Sequence, residues 1–206
     1  MIRYTTVAKE AHIEQVIERS RFIGHICHIE SKEEFEAFRE KIRSEWPGAD
    51  HNVPAYILGE NMELMWNSDR GEPAGTAGPP IMQFLQKEGV TNVCCIVTRY
   101  FGGILLGKGG LVRAYTSSAK LALEAAGKLQ VKDIVELTVR VPYNLLGKLQ
   151  NLELSSPFEI KNIEYLDVVK LTLVYEPENA YNTESMLRDL VGGEPEIVNR
   201  ECKLNI

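Results

Sequence analysis

Five glycines fall within nine residues, Gly102, Gly103, Gly107, Gly109 and Gly110, in the stretch TRYFGGILLGKGGLVRAY from Thr98 to Tyr115. A run of strand formers, residues 92–98, leads into it, and a helical pattern over residues 111–126 leads out. Strand, glycine loop and helix start together make the local geometry in which backbone N–H groups converge on an anion, assisted by the positive end of the helix dipole. A loop that only turns the chain needs one or two glycines, so this density marks a candidate binding surface, with a tight packing corner as the alternative. The stretch carries Arg99, Lys108 and Arg113 and no acidic residue.

The helical pattern places Arg113 in the first turn, where a cation opposes the dipole and an anion beside it is favourable. That anion has two sources. Either Arg99 and Arg113 bind an external phosphate, or they pair with carboxylates of the chain itself, Asp69 or Glu72. Tyr100, Phe101 and Tyr115 stack on bases if exposed and fill the core if not. Residues 102–108 also fit G-x-x-x-x-G-K, but Gly109 stands where a Walker A loop needs a Ser or Thr for magnesium. The apolar Ile104-Leu105-Leu106 and the lack of a parallel βαβ series argue further against a nucleotide-hydrolysing site.

The 206 residues are 44% hydrophobic and carry a net charge of −6, which disfavours a generally basic nucleic-acid binder. The charge is uneven, net −1 over residues 1–129 and net −5 over residues 130–206. A phosphate contact is therefore expected in the first part. Cys27, Cys94, Cys95 and Cys202 have no metal-ligand spacing, and Cys94 and Cys95 in one strand must point to opposite faces. Free thiols, no cofactor, no metal, no membrane span and a cytoplasmic location are the expectation.

Along the chain, Ser31 with Glu34 reads as a capping box opening a helix with Phe35, Phe38 and Ile42 on one stripe. Residues 53–58 and 62–66 read as a hairpin, residues 67–80 as a loop, and Pro79-Pro80 as the first turn of a second helix. From residue 131 the order becomes strand, helix, strand, strand, helix, strand, the β-α-β-β-α-β ferredoxin-like signature. Two α+β domains, 1–129 and 130–206, follow. In the loop NSDRGEPAGTAGPP, Asp69 and Glu72 are the nearest approach to an acid/base pair, against plain turn chemistry. His51-Asn52 offers a donor or general base beside it.

SDRGEPAGTAGPP followed by VTRYFGGILLGKGGLVRAY, with SRFIGH at residues 20–25 and ADHNVPAY at residues 49–56, closely resembles the signature of the IMPACT family. The resemblance implies a ribosomal protein S5 domain 2-like N-terminal domain and a ferredoxin-like C-terminal domain, a pair similar to the last two domains of elongation factor G. It further implies nucleic-acid or ribosome binding linked to translation regulation. The matching positions are His51, Asn52, Ser68, Asp69, Gly71, Glu72, Pro73, Gly75, Thr76, Gly78, Arg99 to Gly103, Gly107, Gly109, Gly110, Arg113 and Tyr115. The family commonly reads S-D-D-G-E-P, and this chain has Arg70 in place of the second acidic residue. That substitution weakens a metal or acid/base site and favours phosphate contact.

The expectation is thus a non-catalytic protein that binds RNA or the ribosome. Arg99, Lys108, Arg113 and the amides of Gly102, Gly103, Gly107, Gly109 and Gly110 meet phosphates, flanked by His51, Asn52 and Tyr115. The loop of Ser68, Asp69, Gly71, Glu72, Gly75 and Thr76 is the accompanying motif. Docking of a protein partner on the acidic C-terminal domain is the second expectation, and a hydrolase using Asp69, Glu72 and His51 the third.

Overall fold

The computed structural model of the chain describes residues 2–206. These form two compact units, one of residues 4–130 and one of residues 131–206 that also takes in Ile2 and Arg3. After strand β1 (Ile2–Val7), the first unit contains β2 (Ala11–Ile17), β3 (Ser20–His28), α1 (Lys32–Glu45), β4 (His51–Leu58), β5 (Leu64–Asn67), α2 (Gly78–Lys87), β6 (Val93–Tyr100) and α3 (Gly107–Ala126). Its sheet runs β2-β3-β6-β4-β5 with every pair antiparallel.

The central strand β6 is buried from Val93 to Arg99, as a strand covered on both faces must be. Pleating sends Val93, Cys95 and Val97 into a core with α2 and α3, and Cys94 and Ile96 into a second core with α1. The two cysteines accordingly occupy different cores, and all four cysteines are free thiols. The Ser31 hydroxyl accepts from the Glu34 amide at 3.2 Å, and the Glu34 carboxylate accepts from the Glu30 amide at 2.7 Å. The expected capping pair thus forms, one residue wider than the reciprocal version. Helix α3 crosses β3 closely: a Cβ on Gly24 would lie 2.5 Å from the Ser118 carbonyl oxygen.

The second unit follows the order β7 (Lys128–Val141), α4 (Tyr143–Glu153), β8 (Phe158–Tyr165), β9 (Val169–Tyr175), a single 3-10 turn (Pro177–Asn179), α5 (Ala180–Val191) and β10 (Glu196–Leu204). Its sheet has five strands: β1 and β10 both pair β7, and the order continues β7-β9-β8, with the β10–β7, β7–β9 and β9–β8 pairings antiparallel. Val135, Leu137, Val139 and Val141 alternate into a core with Leu149 of α4 and Leu187 of α5. The alternate residues are polar: Glu136 pairs with Lys161 and Lys203, and Thr138 with Thr172. The protein is therefore a two-domain α+β chain with antiparallel sheets.

In the first unit His25 is 1% exposed, with Trp46 at 5.4 Å and His12 at 6.2 Å between ring centroids. Burial, reinforced by His12, holds its pKa down at about 4. The unfolded chain takes up this proton near pH 6.5, so the contribution to stability is full above that pH and is lost as pH falls towards 4. We expect His25 to account for about 2 kcal/mol of lost stability between about pH 7 and pH 5. Urea midpoints at the two values should show this loss in the native chain and not in His25→Gln.

Candidate nucleic-acid interface

Three of the residues singled out by the sequence meet in the interior. Arg99 (5% exposed) donates from Nη1 to Glu72 Oε1 at 2.7 Å, and Tyr115 (0% exposed) donates its hydroxyl to the same oxygen at 2.6 Å. The Arg99 guanidinium lies 5.3 Å from the ring centroids of both Phe22 and Phe101, and its Nη2 reaches Ser20 Oγ at 3.4 Å. Burial and the adjacent carboxylate push the Tyr115 hydroxyl well above its ordinary pKa, so it remains a donor. Of the two sources of an anion for Arg99, the structure shows the internal one. Arg99 and Tyr115 are correspondingly removed from the set of residues that can touch an external phosphate.

Glu72 reaches this position because its loop is tied down on both sides. Asp69 Oδ1 accepts the amides of Ala77 and Gly78, each at 2.9 Å, and Oδ2 accepts that of Gly75 at 2.8 Å. A carboxylate from a distant turn thereby caps α2, where its charge meets the positive end of the helix. Thr76 donates its hydroxyl to Pro73 O at 2.7 Å, and Ser68 anchors the loop through its amide to Pro54 O at 3.2 Å. His51 Nδ1–H donates to Arg70 O at 3.0 Å, which leaves Nε2 facing Glu72 Oε1 at 3.9 Å, beyond hydrogen-bond reach. Gly71 turns under this histidine with φ +88°. Asp69 and Glu72 are thus committed to internal bonds, and the acid/base pair considered for a hydrolase is a capping and clamping pair instead.

The glycine loop divides into two halves. Phe101 N donates to Asp50 Oδ2 at 2.8 Å and Gly102 N to Ser20 Oγ at 3.1 Å, so the entry to the loop faces inward. Beyond Gly103 the loop is different. Helix α3 begins at Gly107, earlier than its apolar pattern indicates, and its N-cap residue Leu106 offers no side-chain acceptor. The first four amides of a helix have no partner within it. Among the described residues, those at 106–109 find none outside it either. Lys108 lies in that first turn, and Arg113 falls in the second turn, not the first as expected. Both are exposed and, among the described residues, make no ion pair. Arg113 lines an open cavity with Ile104, Leu105, Leu106 and Gly110; Glu18 is the carboxylate on its rim.

His51 and Asn52, grouped by sequence, point to opposite faces of the sheet. His51 pairs with Arg99 and Asn52 with Thr98, so the first sits on the α2/α3 side and the second on the α1 side. Asn52 is therefore not a neighbour of the glycine loop. Ser20 and Asp50, which hold the loop entry, were missed. Ser20 opens the SRFIGH motif and Asp50 lies in ADHNVPAY, but nothing in their spacing pairs them with amides 82 and 51 residues away.

With this geometry in place, residues 18–123 match the Impact N-terminal domain and residues 139–194 a domain of unknown function, DUF1949. The chain is 36% identical to the IMPACT family member YvyE of Bacillus subtilis, covering 96% of this chain and 91% of that protein. It is 34% identical to the IMPACT family member YigZ of Escherichia coli, covering 86% and 88% respectively. A solved structure described as that of a hypothetical protein superposes with a TM-score of 0.61 at 31% identity, over 94% of this chain and 95% of the other. The chain belongs to the IMPACT family.

Proposed function

We propose that this protein is a non-catalytic RNA- or ribosome-binding factor in translation regulation, and that it contacts phosphates at the start of α3. The observation that carries this reading is the bare helix start: amides at 106–109 that find no partner among the described residues, with Lys108 and Arg113 exposed beside them and, among the same residues, in no ion pair. A 20-residue helix whose N-terminus has neither a cap nor an acidic residue presents its dipole and amides to an incoming anion. The buried Glu72–Arg99–Tyr115 group serves this surface by fixing the strand, loop and helix around it.

The fold supports the same reading. The strand order β10-β7-β9-β8 fits a ferredoxin-like second domain, and we assign the first to the ribosomal protein S5 domain 2-like class. The cytoplasm is the corresponding location; no helix among the described residues is long and apolar enough to cross a membrane. A second reading, docking of a basic protein partner on the second unit, is favoured by the net −5 charge of residues 130–206.

Two phosphate-contacting cations predict a modest electrostatic slope. Affinity for structured RNA should fall roughly tenfold between about 50 and 200 mM salt. Filter binding at the two ionic strengths tests this, and the Lys108→Ala/Arg113→Ala variant should bind weakly at both. Salt-insensitive binding, or none, removes the proposal.

A further inference from the structure

On the α1 side of the first sheet, away from the glycine loop, three arginines converge on a cavity of about 280 Å3. Arg39 and Arg43 are four residues apart on one face of α1, Arg70 comes from the Asp69–Glu72 loop, Asn52 from β4, and Ile96 of β6 completes the lining. The geometry points to this cavity as a binding site for a terminal phosphate, the dianionic monoester group of a nucleotide or of an RNA 5′ end.

The donors are available. Arg39 gives one N–H to Glu36 at 3.2 Å, and Glu40 lies 3.9 Å from Arg43, too far to occupy a hydrogen bond. Arg70 makes no ion pair among the described residues; its guanidinium lies 6.0 Å from the Trp66 ring centroid. Its backbone is held at φ +47°, with its carbonyl fixed by His51. The Asn52 amide is oriented from beneath. Thr98 Oγ1 donates to Asn52 Oδ1 at 2.6 Å, and the buried His25 Nε2 lies 3.1 Å from Thr98 Oγ1. With the threonine proton spent on Asn52, His25 Nε2–H is the donor to Thr98, consistent with its unpartnered Nδ1. The Asn52 carbonyl oxygen is thereby occupied and its NH2 group is left to donate.

Three guanidiniums against two neighbouring carboxylates leave a positive site, and attraction scales with ligand charge. A monoester phosphate carries about −1.5 to −2 at neutral pH, against −1 for a backbone diester. Guanidinium forks and an amide donor match phosphate oxygens.

This inference does not depend on the glycine-loop reading. Calorimetric titration of the full chain with inorganic phosphate, a nucleoside 5′-monophosphate, and an RNA hexamer bearing a 5′-phosphate or a 5′-hydroxyl tests it. Phosphate-bearing probes should bind, about tenfold or more weaker in Arg43→Gln and in Arg70→Asn (asparagine tolerates the left-handed backbone). Binding of inorganic phosphate and of the mononucleotide should persist in Lys108→Ala/Arg113→Ala and decline below about pH 6 as the second phosphate charge is lost. Mononucleotide binding equal to that of the phosphorylated hexamer identifies a nucleotide site, and tighter hexamer binding an RNA end. Equal affinity for the 5′-hydroxyl hexamer, indifference to both arginine substitutions, or no binding of any probe overturns the assignment.

Discussion

Glu72→Ala should destabilise the chain by about 3 to 5 kcal/mol, a large share of the ~5 to 15 kcal/mol typical of a folded domain. The substitution leaves Arg99 charged at 5% exposure between two phenyl rings and leaves the Tyr115 hydroxyl without its acceptor. Breaking one side of a buried pair costs far more than the pair contributes. The companion double substitution Glu72→Leu/Arg99→Met removes both charges and should recover most of the loss. Urea denaturation of the two variants measures both effects. A Glu72→Ala loss below about 1 kcal/mol would mean that Arg99 reaches solvent, and the clamp would then not be the organising contact of the loop.

The second large effect is expected at Gly102. A Cβ there would sit 2.1 Å from the Arg19 carbonyl carbon and 2.4 Å from the Ser20 amide nitrogen, a clash with backbone that no rotamer relieves. Gly102→Ala should therefore cost about 3 kcal/mol, at the upper end of overpacking effects, because the β2–β3 turn must move and Ser20 loses its hold on the loop. Gly109 makes the informative contrast. It lies inside α3, and a Cβ there would meet nothing nearer than Arg113 Nη1 at 3.6 Å. Gly109→Ala should stabilise by about 0.5 to 1 kcal/mol. Thermal melts of both variants check the pair. Destabilisation by alanine at 109 would assign that glycine to packing. The expected gain instead means that Gly109 contributes nothing to folding and leaves room at the helix start.

Much of this architecture is legible in the residues. The Ser31–Glu34 cap, the alternation of Cys94 and Cys95 between two cores, and the strand-helix order of the second unit follow from local chemistry and period. The start of α3 was not, because glycines are poor helix formers and the apolar pattern begins only at Leu111, four residues after the helix itself begins at Gly107. The partner of Arg99 lies 27 residues away and the sequence leaves internal and external anions open. The grouping of His51 with Asn52 overlooked the two-residue period of a strand, which was available all along. The arginine cavity draws on four segments whose proximity no spacing records.

The proposed surface that meets nucleic acid is the start of α3. Amide chemical-shift mapping of the full chain during titration with a structured RNA tests this most directly. The largest shifts are expected at Gly107, Lys108 and Gly109, and they should disappear in Lys108→Ala/Arg113→Ala. RNA that binds while those amides stay unmoved would contradict it.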